Sequence, residues 1–163
     1  RDDVESRGLG DVYKRQAKIM YDFGSGAGFP GMVLAIMANE KTPYLKVKLV
    51  ESTGKKTLYL NEVKNQTSAN VEIINQRIES LVPEKADVIT SRALSSLKEL
   101  FEYAHKFCSL KTTCIFPKGK KYQEEIADAR KSWNFDCQVF DSEQSDEGKI
   151  LVITKLSKIK GVK

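Results

Sequence analysis

Residues 22–31 read D-F-G-S-G-A-G-F-P-G. A short apolar run at 17–23, with Ile19, Met20 and Tyr21, leads into this stretch. Met32, Val33, Leu34, Ile36 and Met37 follow it. The order is that of a buried strand, a glycine turn and a helix with an apolar face. Glycines at 24, 26, 28 and 31 let the backbone turn tightly and approach a ligand with no Cβ in the way. Pro30 suits the first turn of the helix, whose N-terminus offers free N–H groups.

Working outward, the same alternation repeats. Residues 45–50 place Leu45, Val47 and Leu49 between lysines and read as a second strand ending at Glu51. A helix over 55–66 follows, with Leu58, Leu60 and Val63 apolar. Strands are expected at 71–74, 86–90 and 112–116, and helices over 97–107 and 122–131. Residues 133–140 and 150–155 suit a final antiparallel pair joined by the acidic loop 141–147. Strands alternating with helices predict an α/β fold, a mostly parallel twisted sheet with helices on both faces. No linker divides the chain.

Gly26, Gly28 and Gly31 satisfy Gly-x-Gly-x-x-Gly, so a dinucleotide enzyme must be weighed. Asp22 lies two positions before the first glycine. An acidic loop there faces a cationic sulfonium and ammonium better than a pyrophosphate. Glu51 ends the second strand about 20 residues beyond the loop, where a carboxylate accepts both ribose hydroxyls. Together these favour a methyl-donor nucleoside, S-adenosyl-L-methionine, and leave NAD open.

The chain has 163 residues, 40% of them hydrophobic, which suits one domain with one core. No run is long enough to span a bilayer and no secretory signal is present, so a soluble, cytoplasmic protein is expected. Cys108, Cys114 and Cys137 are scattered and His105 is the one histidine, which leaves almost no material for a metal site. The thiols read as small apolar side chains. The net charge of +5 fits an anionic partner without establishing one.

Residues 6–16, S-R-G-L-G-D-V-Y-K-R-Q, back-translate in one frame to the end of a transposase-based sequencing adapter. Residues 1–16 are therefore expected to be an assembly scar, and residues 17–163 a single domain. The charges within 1–16 cancel, so the positive balance belongs to the remainder.

The chain from residue 17 onward resembles the bacterial small-subunit ribosomal RNA guanine-N7 methyltransferases, the glucose-inhibited division protein B family. The segments carrying the resemblance are D-F-G-S-G-A-G-F-P-G-M at 22–32, E-S-T-G-K-K at 51–56, N-Q-R-I-E at 75–79, T-S-R-A-L at 90–94 and F-P-K-G-K at 116–120. They span most of the chain in family order. The resemblance implies a seven-stranded class I S-adenosylmethionine-dependent methyltransferase (Rossmann-like) fold. It implies methylation of one guanine in the 530 loop of 16S rRNA, with 16S rRNA or a small ribosomal subunit precursor as partner. Gly24 and Phe29 would line the cofactor site, Ile78 and Glu79 would flank the adenine, Glu51 would take the ribose, and Arg92 would sit by the cofactor and the entering base. Family members begin with several helices ahead of the first strand, and those are expected to be missing here. A monomer is expected.

Guanine N7 has an in-plane lone pair and no proton, so attack on a methyl sulfonium needs no general base. Catalysis would rest on alignment. Arg92 and Lys118, after the fourth and fifth strands, reach the carboxyl edge where ligands bind in open α/β sheets. These two are the expected catalytic residues, with Arg92 on guanine O6 or a phosphate. Arg77, Lys118 and Lys120 are the expected RNA contacts, although Lys120 and Lys121 equally suit a solvated face. Lys55 and Lys56 suit phosphate or solvent. His105, Tyr122 and Trp133 read as structural. The competing functions are an NAD-dependent oxidoreductase, which would lack an evident catalytic Tyr-x-x-x-Lys or histidine, and a non-catalytic RNA-binding domain.

Overall fold

A computed structural model describes residues 17–142 and 147–161. The adapter-like segment 1–16 and part of the acidic loop lie outside those residues. The first strand, β1 (Ile19–Phe23), is buried along most of its length. It sits in the interior of the sheet, parallel to β2 (Lys46–Val50) on one side and β4 (Val88–Ser91) on the other. A strand in that place has both faces covered, which its near-continuous apolar sequence requires. Beyond β2 lies β3 (Val71–Ile74), and beyond β4 lies β5 (Thr113–Lys118). The long hairpin β6 (Trp133–Asp141) and β7 (Lys149–Lys158) completes seven strands in the order β3-β2-β1-β4-β5-β7-β6. β7 is antiparallel to both of its neighbours.

Side-chain parity along the strands divides the core in two. Tyr21 and Phe23 of β1 face a layer built by α3 (Leu97–Ala104) and α4 (Tyr122–Ala129), with Ile89, Phe116, Trp133, Phe135 and Leu151. Met20 faces the other layer, with Val47, Leu49 and Val88. This second layer is covered by Met32, Ala35 and Ala38 of α1 (Gly31–Lys41) and Leu60 of α2 (Gly54–Thr67). α3 is the clearest amphipathic helix. Ser96 caps it by accepting the Glu99 N–H at 3.4 Å, and Leu97, Leu100, Phe101 and Ala104 form its buried stripe.

Two local expectations change. Leu58 does not share the inner face of α2 and is 72% exposed; the buried residues are Thr57 and Leu60, three apart on one side of a 3.6-residue turn. β5 runs to Lys118, past the end expected at 116, because Pro117 and Lys118 pair with Ile150 and Lys149 of β7. Between β3 and β4 the chain makes only a 3-10 turn at Ile78–Ser80. No helix among the described residues is long and apolar enough to cross a membrane.

Candidate active site

The strand order reverses direction between β1 and β4, so the crevice outside their carboxyl ends is the place for a ligand. Side chains from the neighbouring strand hold that crevice. Thr90 Oγ1 donates to Asp22 Oδ1 at 2.7 Å, and Ser91 Oγ donates to the Phe23 carbonyl at 2.8 Å. Asp22 Oδ2 accepts the Gly31 N–H at 3.2 Å. The expectation that Asp22 faces a ligand is therefore corrected. Its side chain is fully buried on the α1 face of β1 and clamps the glycine loop from behind. Burial pushes its carboxyl up to about 6, opposed by the Thr90 hydroxyl, Ser25, the Gly31 N–H and the charge of Arg92.

Glu51 directly follows β2 and is almost fully buried. Its Oε2 accepts the Gly26 N–H at 2.9 Å, and its Oε1 accepts the Thr53 N–H at 2.8 Å. Burial raises the carboxyl, but these N–H groups outweigh it and hold the group below its ordinary range. One carboxylate thus ties the glycine loop to the start of α2. It also lines a cleft of about 430 Å3.

That cleft brings together six of the residues singled out from sequence: Gly24, Glu51, Arg77, Ile78, Glu79 and Arg92. Gly24 has φ +68°, and a Cβ there would lie 2.8 Å from Leu94 Cδ1, so the loop needs glycine on both counts. Gly26 takes part through its N–H to Glu51. Phe29 is half exposed outside the cleft, with the Arg92 guanidinium 5.4 Å from its ring centre. The other lining residues include Tyr103 and Lys56, neither of which the sequence placed at this site. Tyr103 comes from α3, whose inward stripe gives no local sign of a cleft position. Burial raises its phenol, and the carboxylates of Glu79 and Glu99 add to the effect.

Arg92, Ala93 and Leu94 also line a second, larger cleft of about 920 Å3, so this loop is the wall between the two. Ala93 holds φ +52°, a strained conformation for a residue with a Cβ. The second cleft contains Lys118, but not as a free cation. Lys118 Nζ donates to the Ser95 carbonyl and to Glu125 Oε2, both at 2.7 Å, and its side chain is only 9% exposed. The lysine expected as a catalytic and RNA-contacting residue forms one half of a partly buried ion pair. Lys120 is exposed on the turn that follows, and Arg77 is exposed at the head of the 3-10 turn. His105 is structural: Nδ1 lies 3.0 Å from the Phe101 carbonyl and the ring packs on Trp133. Among the described residues no group of three or more His, Cys, Asp or Glu is placed to hold a metal ion.

The sequence model of the rRNA small subunit methyltransferase G family matches residues 4–149. The chain belongs to that family. It is 38% identical over 144 residues to a ribosomal RNA small subunit methyltransferase G from Cereibacter sphaeroides, covering 88% of this chain and 70% of that protein. It is 39% identical over 140 residues to the protein of the same name from Rickettsia bellii, covering 86% and 69%. The fold is shared more widely. A ribosomal protein L11 methylase from Lactobacillus delbrueckii subsp. bulgaricus superposes with a TM-score of 0.71 at 17% identity, over 91% of this chain and 74% of that one. TYW2 from M. jannaschii, solved in complex with AdoMet, gives 0.61 at 14% identity, over 94% and 78%. Membership in the family and these likenesses identify the sheet as the class I methyltransferase fold expected from the sequence.

Proposed function

We propose that this chain transfers the methyl group of S-adenosyl-L-methionine to N7 of one guanosine in the 530 loop of 16S rRNA. The observation that carries this reading is Glu51, held ionised between the glycine loop and α2 with its carboxylate on the first cleft. The residues present fit the cofactor. Glu51 is an acceptor suited to a ribose diol. Gly24 keeps the cleft floor at backbone level. Ile78 offers an apolar wall and Glu79 an acceptor suited to the amino group of adenine. Bound cofactor supplies an electrophilic methyl group on a cationic sulfur.

The rest of the chemistry asks for alignment. The N7 lone pair forms the new bond to carbon, the carbon–sulfur bond breaks, and its electron pair stays on sulfur. No proton leaves the base, so no side chain need remove one. Arg92, on the wall between the two clefts, suits guanine O6 or a flanking phosphate. Asp22, buried behind the loop, holds it in place through the Gly31 N–H. Arg77 and Lys120 suit phosphates of the RNA approaching this edge. The partner is 16S rRNA or a small-subunit precursor, met in the cytoplasm.

The test uses small subunits from a strain lacking this methylation and cofactor labelled in its methyl group. One methyl group per particle is expected, at a guanosine whose N7 methylation is revealed by borohydride and aniline scission. Calorimetry should detect S-adenosylhomocysteine and no NAD, and Glu51→Ala should weaken that binding by roughly tenfold or more, as expected for lost charge-assisted hydrogen bonds. Tight NAD binding with no methyl transfer would overturn the reading.

A further inference from the structure

The second cleft contains a polar arrangement that the methyl donor does not use. Glu125 lies on α4, and its Oε2 receives two donors, Lys118 Nζ and the backbone N–H of Leu97, each at 2.7 Å. Both of its anchors come from other elements, β5 and the first turn of α3. Its Oε1 has no partner among the described residues, and its side chain is 25% exposed, on the wall of the cleft. The other nearby carboxylates differ. Glu124 is exposed, and Asp128 pairs with Lys131 on the helix surface. On the same cleft, the Ser95 hydroxyl is buried with no hydrogen-bond partner among the described residues. A partly buried ion pair adds little stability over apolar packing, so its occurrence on a cleft wall points to another role.

We infer that Glu125, aimed by Lys118, reads the Watson–Crick edge of the target guanine in this second cleft. The inference rests on the guanosine-N7 reading above. Guanine presents two adjacent donors on that edge, N1–H and the N2 amino group, and a carboxylate accepts from such donors. Adenine presents a lone pair at N1 and meets repulsion from the same oxygen. N7 lies on the other side of the purine, so a guanine with its donor edge on Glu125 turns N7 toward Arg92 and the first cleft. The arrangement also assists the reaction. As N7 becomes cationic the ring withdraws electrons and N1–H becomes a stronger donor, so its bond to a carboxylate tightens toward the transition state. Lys118 is then a positioning residue, which accounts for a largely buried lysine paired with a carboxylate on this edge.

The experiment compares guanosine with inosine, which lacks only the N2 amino group, at the target position of 16S rRNA. The rRNA is assembled by splinted ligation and carried in reconstituted small subunits. The wild-type chain should methylate the guanosine particle roughly tenfold to a hundredfold more efficiently in kcat/KM, the range of one well-made base contact. Glu125→Gln should abolish that preference. Its amide oxygen must stay toward Lys118 and the Leu97 N–H, which turns its NH2 onto the donor edge of guanine. Lys118→Met should lose the preference likewise and Lys118→Arg should regain it, while S-adenosylhomocysteine affinity stays at the wild-type value in all three. A wild-type chain that methylates both particles equally overturns the inference with no variant needed. So does a Glu125→Gln chain that keeps the full preference. Failure to methylate either particle at N7 sinks the function itself and this inference with it.

Discussion

Asp22 makes the residue-scale balance explicit. A carboxylate with no exposed surface loses its hydration, and two neutral donors, Thr90 and the Gly31 N–H, return only part of that. Its folded value of about 6 therefore stands above the ordinary value of 3.8. The folded chain holds this proton more tightly than the unfolded chain does. The contribution to stability is full below about pH 4 and is lost as pH rises through about 6, a change of about 3 kcal/mol. Glu51 and Glu72, both lowered, act in the opposite direction. The group is therefore isolated by a difference: urea midpoints of wild type and Asp22→Asn between pH 4 and 7. The stability advantage of wild type should shrink across that window, and a constant gap would contradict the assignment. The identity of this residue is legible in the sequence, but its direction is not. Spacing from the glycines pointed Asp22 at a ligand. Parity with buried Met20 pointed it at α1, and parity decides which face of a strand a side chain occupies.

At the scale of elements, α1 and β1 meet with almost no gap. A Cβ on Gly31 would lie 2.6 Å from Asp22 Cβ, Asp22 Oδ2 and Leu49 Cδ2. Two of these atoms belong to the side chain that clamps the loop, and the third to the floor of the core. Gly31→Ala should cost about 1–3 kcal/mol, the usual range for overpacking a filled core. It should also weaken S-adenosylhomocysteine binding, because the loop is displaced; thermal unfolding and calorimetry read the two effects. The elements themselves were largely legible. Strands β1 to β4 each carry an apolar run bounded by turn residues, and the stripe of α3 is strict. The end of β5 was hidden by Pro117, a residue that ordinarily ends a strand but here pairs at its last positions. The ion pair of Lys118 with Glu125 was not legible either. The two residues stand seven apart on different elements, and no local pattern brings them together. Tyr103 is not legible either, because a helix stripe does not reveal which turn ends beside a cleft.

For the whole molecule, the first cleft draws on the loops after β1, β2, β3 and β4 and on α3. A ligand bridging them binds only the assembled sheet, so its binding energy adds to folding stability. S-adenosylhomocysteine at a hundredfold above its dissociation constant should add about 2.7 kcal/mol. That corresponds to a rise in Tm of roughly 5–10 °C for a domain of this size, readable by scanning calorimetry. Class and strand count followed from alternation and family likeness, whereas the placement of β7 between β5 and β6 is a long-range choice with no local signature. That placement has a consequence for synthesis. β6 pairs with β7 alone, and β7 also seals the outer edge of β5. While the chain is being made, two strand edges stay unpaired until the last strand emerges, open to any stray strand that meets them first.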